Sequence, residues 1–86
     1  MRATDEFLPG VVLPAGYHDV LRRRLAEINT ADTAVNCLIA QARVEGMVEA
    51  LEMLKALDSS RIERLYQLEI DTATARLLEL EQGQGE

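Results

Sequence analysis

The feature of this sequence that most restricts its fold is a short polar break, Asp58-Ser59-Ser60, between two long stretches of helical character. Ser60, followed three residues later by Glu63, has the form of a capping box, which starts a helix. Before the break, a polar strip of Gln41, Glu45, Glu49 and Glu52 runs along a largely apolar segment. So short a connection predicts that helices over 31–57 and 61–82 are antiparallel neighbours in a helical hairpin.

The helix after the break has one well-defined apolar face. Its residues recur at steps of three or four, the spacing of a single helix face: Ile62, Tyr66, Ile70, Ala73, Leu77 and Leu80. We predict that this face packs against another helix or a second subunit. Residues 83–86, which contain two glycines, are predicted to be a disordered tail.

The N-terminal part divides into an arm and a shorter helix. Residues 1–15 contain both prolines and no helical period, and Pro9-Gly10 suits the centre of a type II turn, so we expect an extended arm. Its apolar residues either pack against the chain's own helices or a sister subunit, or insert into a partner. The spacing of Tyr17, Leu21, Leu25 and Ile28 predicts a helix over 16–28. Thr30 or Asp32 could cap the helix that follows.

These segments predict an all-α chain with a helical domain over 16–82, a short N-terminal helix and two long ones. At 86 residues a single core gives marginal stability, and segment 31–57 is apolar on more than one side. We therefore expect a homodimer that forms a helical bundle.

Three small residues, Ala42, Gly46 and Ala50, recur every four positions within segment 31–57. A glycine in mid-helix costs about 1 kcal/mol relative to alanine, so a close backbone approach is expected to offset it. That approach is either within the chain or between two subunits.

The charge of the chain restricts its partners. A net charge of −6, with the acidic residues concentrated in the C-terminal third, favours a basic or neutral protein and makes nucleic acid and membrane surfaces unlikely. Arg22-Arg23-Arg24, before a break and a second helix, invites a helix-turn-helix interpretation. DNA-binding regulation is nevertheless disfavoured, because the second helix is long and striped with acids.

The sequence lacks the motifs of an enzyme. His18 and Cys37 are single, and there is no phosphate-binding glycine loop and no metal-ligand spacing. We expect no catalytic residue, metal or cofactor. No apolar run approaches the roughly 20 residues of a membrane span, and no signal peptide is evident, so we expect a cytoplasmic protein.

These observations favour a non-catalytic module that binds and occludes or bridges a partner protein. The predicted anchors are Phe7 and Leu8 of the arm and Leu68, with Glu69 and Asp71 steering a basic or neutral partner. The alternative is a structural scaffold subunit whose helices serve only self-association. Eight Arg against one Lys is typical of GC-rich bacterial genomes, where small acidic helical proteins often belong to phages or mobile elements, so an inhibitor is one form of this function.

Overall fold

A computed structural model describes residues 6–84 of the chain, which are mostly helical. Strands β1 (Glu6–Leu8) and β2 (Val11–Val12) are followed by helices α1 (Ala15–Asn29), α2 (Ala34–Met53) and α3 (Ser59–Gln84). The prediction of three helices is confirmed, but α2 is shorter at both ends than the predicted 31–57. The predicted tail is partly wrong, because Gly83 and Gln84 belong to α3. Residues 1–5 of the arm and 85–86 of the tail lie outside the described residues.

The predicted extended arm contains a small β-hairpin, which is not among the predicted elements. β1 and β2 are antiparallel, with Glu6 opposite Val12 and Leu8 opposite Val11. Gly10 has a φ of 81°, the value that the third position of a type II turn requires, and its N–H donates to a Glu6 carboxylate oxygen. Alternation along the hairpin turns Phe7 and Val11 into the core, so the arm packs against the chain's own helices.

Side chains from two helices fasten this hairpin. The Arg22 guanidinium lies 4.3 Å from the centre of the Phe7 ring and donates to the Phe7 carbonyl at 3.1 Å. The His18 ring packs against the same ring in a T-shaped arrangement, with 5.2 Å between the ring centres. From α3, Arg61 Nε donates to the Gly10 carbonyl at 2.7 Å. A hairpin this short is not stable alone, so these contacts and the buried Phe7 are what hold it.

The helix ends are set by capping residues other than those predicted. Thr33, rather than Thr30 or Asp32, caps α2, and its hydroxyl accepts from the Asn36 N–H. Asp58, rather than Ser60, caps α3, and its carboxylate accepts from the Arg61 N–H at 3.0 Å.

The C-terminus of α2 closes in a Schellman motif that the sequence did not reveal. The Ala56 N–H donates to the Leu51 carbonyl and the Lys55 N–H to the Glu52 carbonyl. Lys55 occupies the left-handed position with a φ of 56°, where glycine is usual. The predicted helix ran on to 57 because no glycine marks this end.

The core lies where α1, α2 and α3 meet. Across the contact between α2 and α3, Cys37 lies against Ala73, Gln41 against Glu69, and Glu52 against Tyr66. From one of these contacts to the next, the residue number rises on α2 and falls on α3, so the two helices run in opposite directions. The buried side chains of α1 are Leu21, Leu25 and Ile28.

Candidate protein interface

Helix α2 has two apolar faces, and the chain buries only one of them. The buried face consists of Cys37, Ala40, Val44, Val48 and Leu51. On the opposite side lies a second set, which we call the outer face of α2: Val35, Leu38, Ile39, Ala42, Gly46 and Met53. The large side chains of this set are 49% to 76% exposed. At 100° per residue all of them except Leu38 lie within about 60° of one another, so they form a continuous stripe.

Charged residues of opposite sign flank the outer face. Arg43 lies on the flank towards α1, with a guanidinium nitrogen 3.8 Å from a Glu27 carboxylate oxygen. Glu45 and Glu49 lie on the flank towards α3. Partial burial, a hydrogen bond to Glu52 and the charges of these acids together raise the pKa of the Tyr66 hydroxyl to about 12. One edge of the stripe is therefore basic and the other is acidic.

The small residues predicted to mark a close helix crossing lie on this same face. Ala42 and Gly46 are exposed and Ala50 is half-buried. Among the described residues, no atom would lie within 4 Å of a Cβ placed on Gly46. Within the described part of the chain, Gly46 therefore makes no close backbone contact. The crossing between two subunits stays a prediction. Gly46 and Ala50 also border an open groove of about 490 Å³ between α1 and α2.

The structure buries only part of the predicted apolar face of α3. Ile62 and Ala73 are buried, and Tyr66, Leu77 and Leu80 are half-buried, but Ile70 is 46% exposed. The buried line instead passes through Leu65 and Glu69, which the predicted face does not include. The spacing does not reveal this buried line, because a carboxylate occupies position 69 and charged residues are almost never fully buried without a partner.

Glu69 is a core residue and cannot steer a partner as predicted. Its side chain is 3% exposed and accepts a hydrogen bond from the Gln41 amide. Burial raises the pKa of its carboxyl; the Gln41 hydrogen bond opposes this rise and the charge of Glu45 adds to it. Phe7 is likewise only 3% exposed, so in this conformation it anchors the hairpin rather than a partner.

The other predicted anchors come together although they are distant in sequence. Leu8 and Leu68 line one groove of about 270 Å³, which we call the Leu8–Leu68 groove. Its remaining lining residues are Arg22, Leu25, Ala26, Asn29 and Thr72. Asp71 is exposed and accepts a hydrogen bond from Gln67 at 2.8 Å.

Within residues 6–84, no group of three or more His, Cys, Asp or Glu side chains is placed to hold a metal ion. Cys37 is fully buried and His18 packs against Phe7. No helix of this part of the chain has both the length and the apolar content needed to cross a membrane.

Comparisons with protein-family models, curated proteins and solved structures gave no significant match.

Proposed function

We propose that this chain is a non-catalytic protein–protein interaction module that binds and occludes or bridges a partner protein. The observation that carries the proposal is the outer face of α2, an apolar stripe left uncovered by residues 6–84. Single exposed apolar residues are ordinary, but a continuous stripe along a helix is characteristic of a contact surface. The partner is a basic or neutral protein, because the chain carries a net charge of −6.

Two surfaces are available for such contacts. The outer face of α2 offers large apolar side chains between an acidic and a basic edge, which suits a helix of another protein molecule. The Leu8–Leu68 groove lies at the junction of the hairpin, α1 and α3, and has a guanidinium at its edge. A module with two contact surfaces can associate with itself through one and bind a partner through the other.

The scaffold alternative draws on the same stripe, because a self-assembling helical subunit also needs an uncovered apolar face. DNA-binding regulation gains no support from the structure. Arg22 is engaged with Phe7 and Arg24 with Glu27, so the basic run is partly used within the fold. Helix α2, which would have to act as the recognition helix, exposes mainly apolar and acidic side chains, and Arg43 is its one basic residue.

Site-specific photo-crosslinking in cells of the source organism tests the proposal. A benzophenone amino acid is placed at Ile39 on the outer face, at Leu68 in the groove, and at Gln67 as an exposed control on α3. A covalent adduct with a foreign protein at position 39 or 68, and none at 67, supports the module. Adducts made only of this chain support the scaffold. Equal yields at all three positions would overturn the proposal.

A further inference from the structure

We propose that a second copy of this chain covers the outer face of α2, with the two α2 helices parallel about a two-fold axis. This inference rests on the proposed function and adds to it the identity of one partner. The Leu8–Leu68 groove lies on other elements and stays open for a different protein.

The distribution of side-chain size along the outer face of α2 suits pairing with the same face of a second copy of the chain. Val35, Leu38 and Ile39 lie near one end and Met53 near the other, with Ala42 and Gly46 between them. A parallel two-fold axis places each residue opposite itself, so small residues meet small ones where the backbones approach most closely. Within the described residues the space beside Gly46 is open, as such a crossing requires.

The charges beside the stripe select the parallel orientation. When two helices pair in parallel, the left flank of one faces the right flank of the other, as at the e and g positions of parallel coiled coils. Arg43 of each copy then faces the flank that carries Glu45 and Glu49 of the other. An antiparallel pair would bring Arg43 towards Arg43 and acids towards acids. The parallel pair is thus the one with complementary edges.

The same symmetry favours a second copy over an unrelated helix. An unrelated partner would need an acidic edge and a basic edge in the right positions, whereas a second copy supplies both. The net charge of −6 opposes association of two copies as a whole, so burial of the apolar stripe must supply the favourable free energy.

Sedimentation equilibrium of the purified chain at micromolar concentration tests the contact. Leu38→Glu places a charge on the outer face, and Leu78→Glu makes the same change on α3 at nearly equal exposure, 53% against 52%. We expect a dimer for the wild type and for Leu78→Glu, and at least tenfold weaker dimerisation for Leu38→Glu. A monomeric wild type, or equal effects of the two substitutions, would overturn the inference.

A second variant keeps the test valid should Leu38→Glu disturb folding. Gly46→Leu fills space that is open within the described part of a single chain, and it improves helix propensity. It should therefore retain or increase the circular dichroism signal of the monomer while weakening the dimer by at least tenfold. Unweakened dimerisation of this variant with retained helicity would contradict a close crossing at Gly46.

Cysteine crosslinking tests the orientation. In a parallel dimer two Val35→Cys chains bring their new thiols to the same end, and a short bis-maleimide joins them. In an antiparallel dimer these positions lie roughly 27 Å apart, and crosslinks form instead between Val35→Cys and Met53→Cys chains. The wild type is the control for Cys37, which is fully buried. Crosslinks confined to the mixed pair would overturn the parallel arrangement.

The two proposals fail in different ways. A monomer in sedimentation together with a foreign-protein adduct in the photo-crosslinking experiment retains the module and removes the second copy. A dimer in sedimentation without a foreign-protein adduct at position 39 or 68 retains the second copy and removes the module.

Discussion

The Gln41 amide donates a hydrogen bond to the Glu69 carboxylate across the contact between α2 and α3. This pair puts a carboxyl group into an otherwise apolar part of the core. A buried carboxylate needs hydrogen-bonding partners, and the Gln41 amide supplies one. The proton affinity of Glu69 therefore links the packing of the two longest helices to pH.

Glu69→Gln should stabilise the chain at neutral pH. Burial raises the pKa of the Glu69 carboxyl above its ordinary value of 4.5, so the folded chain holds this proton more tightly than the unfolded chain. Stability therefore falls as pH rises from 4.5 through the raised pKa. Glutamine is uncharged at every pH, so the variant does not lose this part of its stability as the pH rises. We expect a higher free energy of unfolding than that of the wild type at pH 7, and a smaller gain at pH 4, by urea denaturation. A variant less stable than wild type at pH 7 would contradict this account.

Lys55→Gly should raise the free energy of unfolding by roughly 1 kcal/mol. Lys55 has a φ of 56° in the Schellman motif that ends α2, a conformation that strains any residue with a Cβ. Glycine adopts it without that strain. Lys55→Ala is the matched control, because it removes the same charge but keeps the Cβ. Thermal denaturation of both variants separates the relief of backbone strain from the removal of the charge. An equal gain in stability for Lys55→Ala would show that the charge, and not the strain, is responsible.

Gly46→Ala should stabilise the monomer by about 1 kcal/mol, because it improves helix propensity at an exposed position. A close crossing within the chain would have predicted overpacking instead, but a Cβ at this position meets no atom within 4 Å among residues 6–84. The measurement is chemical denaturation at a concentration too low for self-association. Destabilisation under those conditions would indicate a contact within the chain.

Leu68→Glu should weaken binding of a foreign partner by at least about tenfold, or roughly 1.4 kcal/mol, if that partner occupies the Leu8–Leu68 groove. Gln67→Glu is the control, because it adds the same charge at the neighbouring position outside the groove lining. Calorimetry with the partner recovered by photo-crosslinking gives both affinities. An unchanged affinity with an unchanged circular dichroism spectrum would remove Leu68 from the interface.

Local sequence signals predicted the elements well and their ends less well. Pro9-Gly10 indicated the turn, and helical spacing indicated all three helices. Thr30, Asp32 and Thr33 are all eligible caps within four residues, and Thr33 is the one used. Each can accept a backbone N–H, so the choice depends on where the chain leaves α1 and not on the capping residue alone.

The two strands and the position of Glu69 illustrate a different limit. Five strand residues cannot form a stable hairpin in isolation, so the pairing of β1 with β2 depends on burying Phe7 against α1. From its neighbours in sequence, Glu69 is predicted to be a surface residue, because its hydrogen-bond partner, Gln41, is 28 positions away. A local pattern carries no information about a partner at that distance.

The sequence by itself determined the helical character, the number of helices, the turn at Pro9-Gly10 and the acidic net charge. The first three follow from propensity and spacing over a few residues, and the charge follows from the composition. Only the tertiary structure decided which face of α2 is buried. Val35, Ile39 and Met53 on one side are as apolar as Val44, Val48 and Leu51 on the other, so periodicity cannot separate the two faces. The packing of α1 and α3 decides which face is buried. These helices cover one face of α2 and leave the other, in the proposed arrangement, to a second protein molecule.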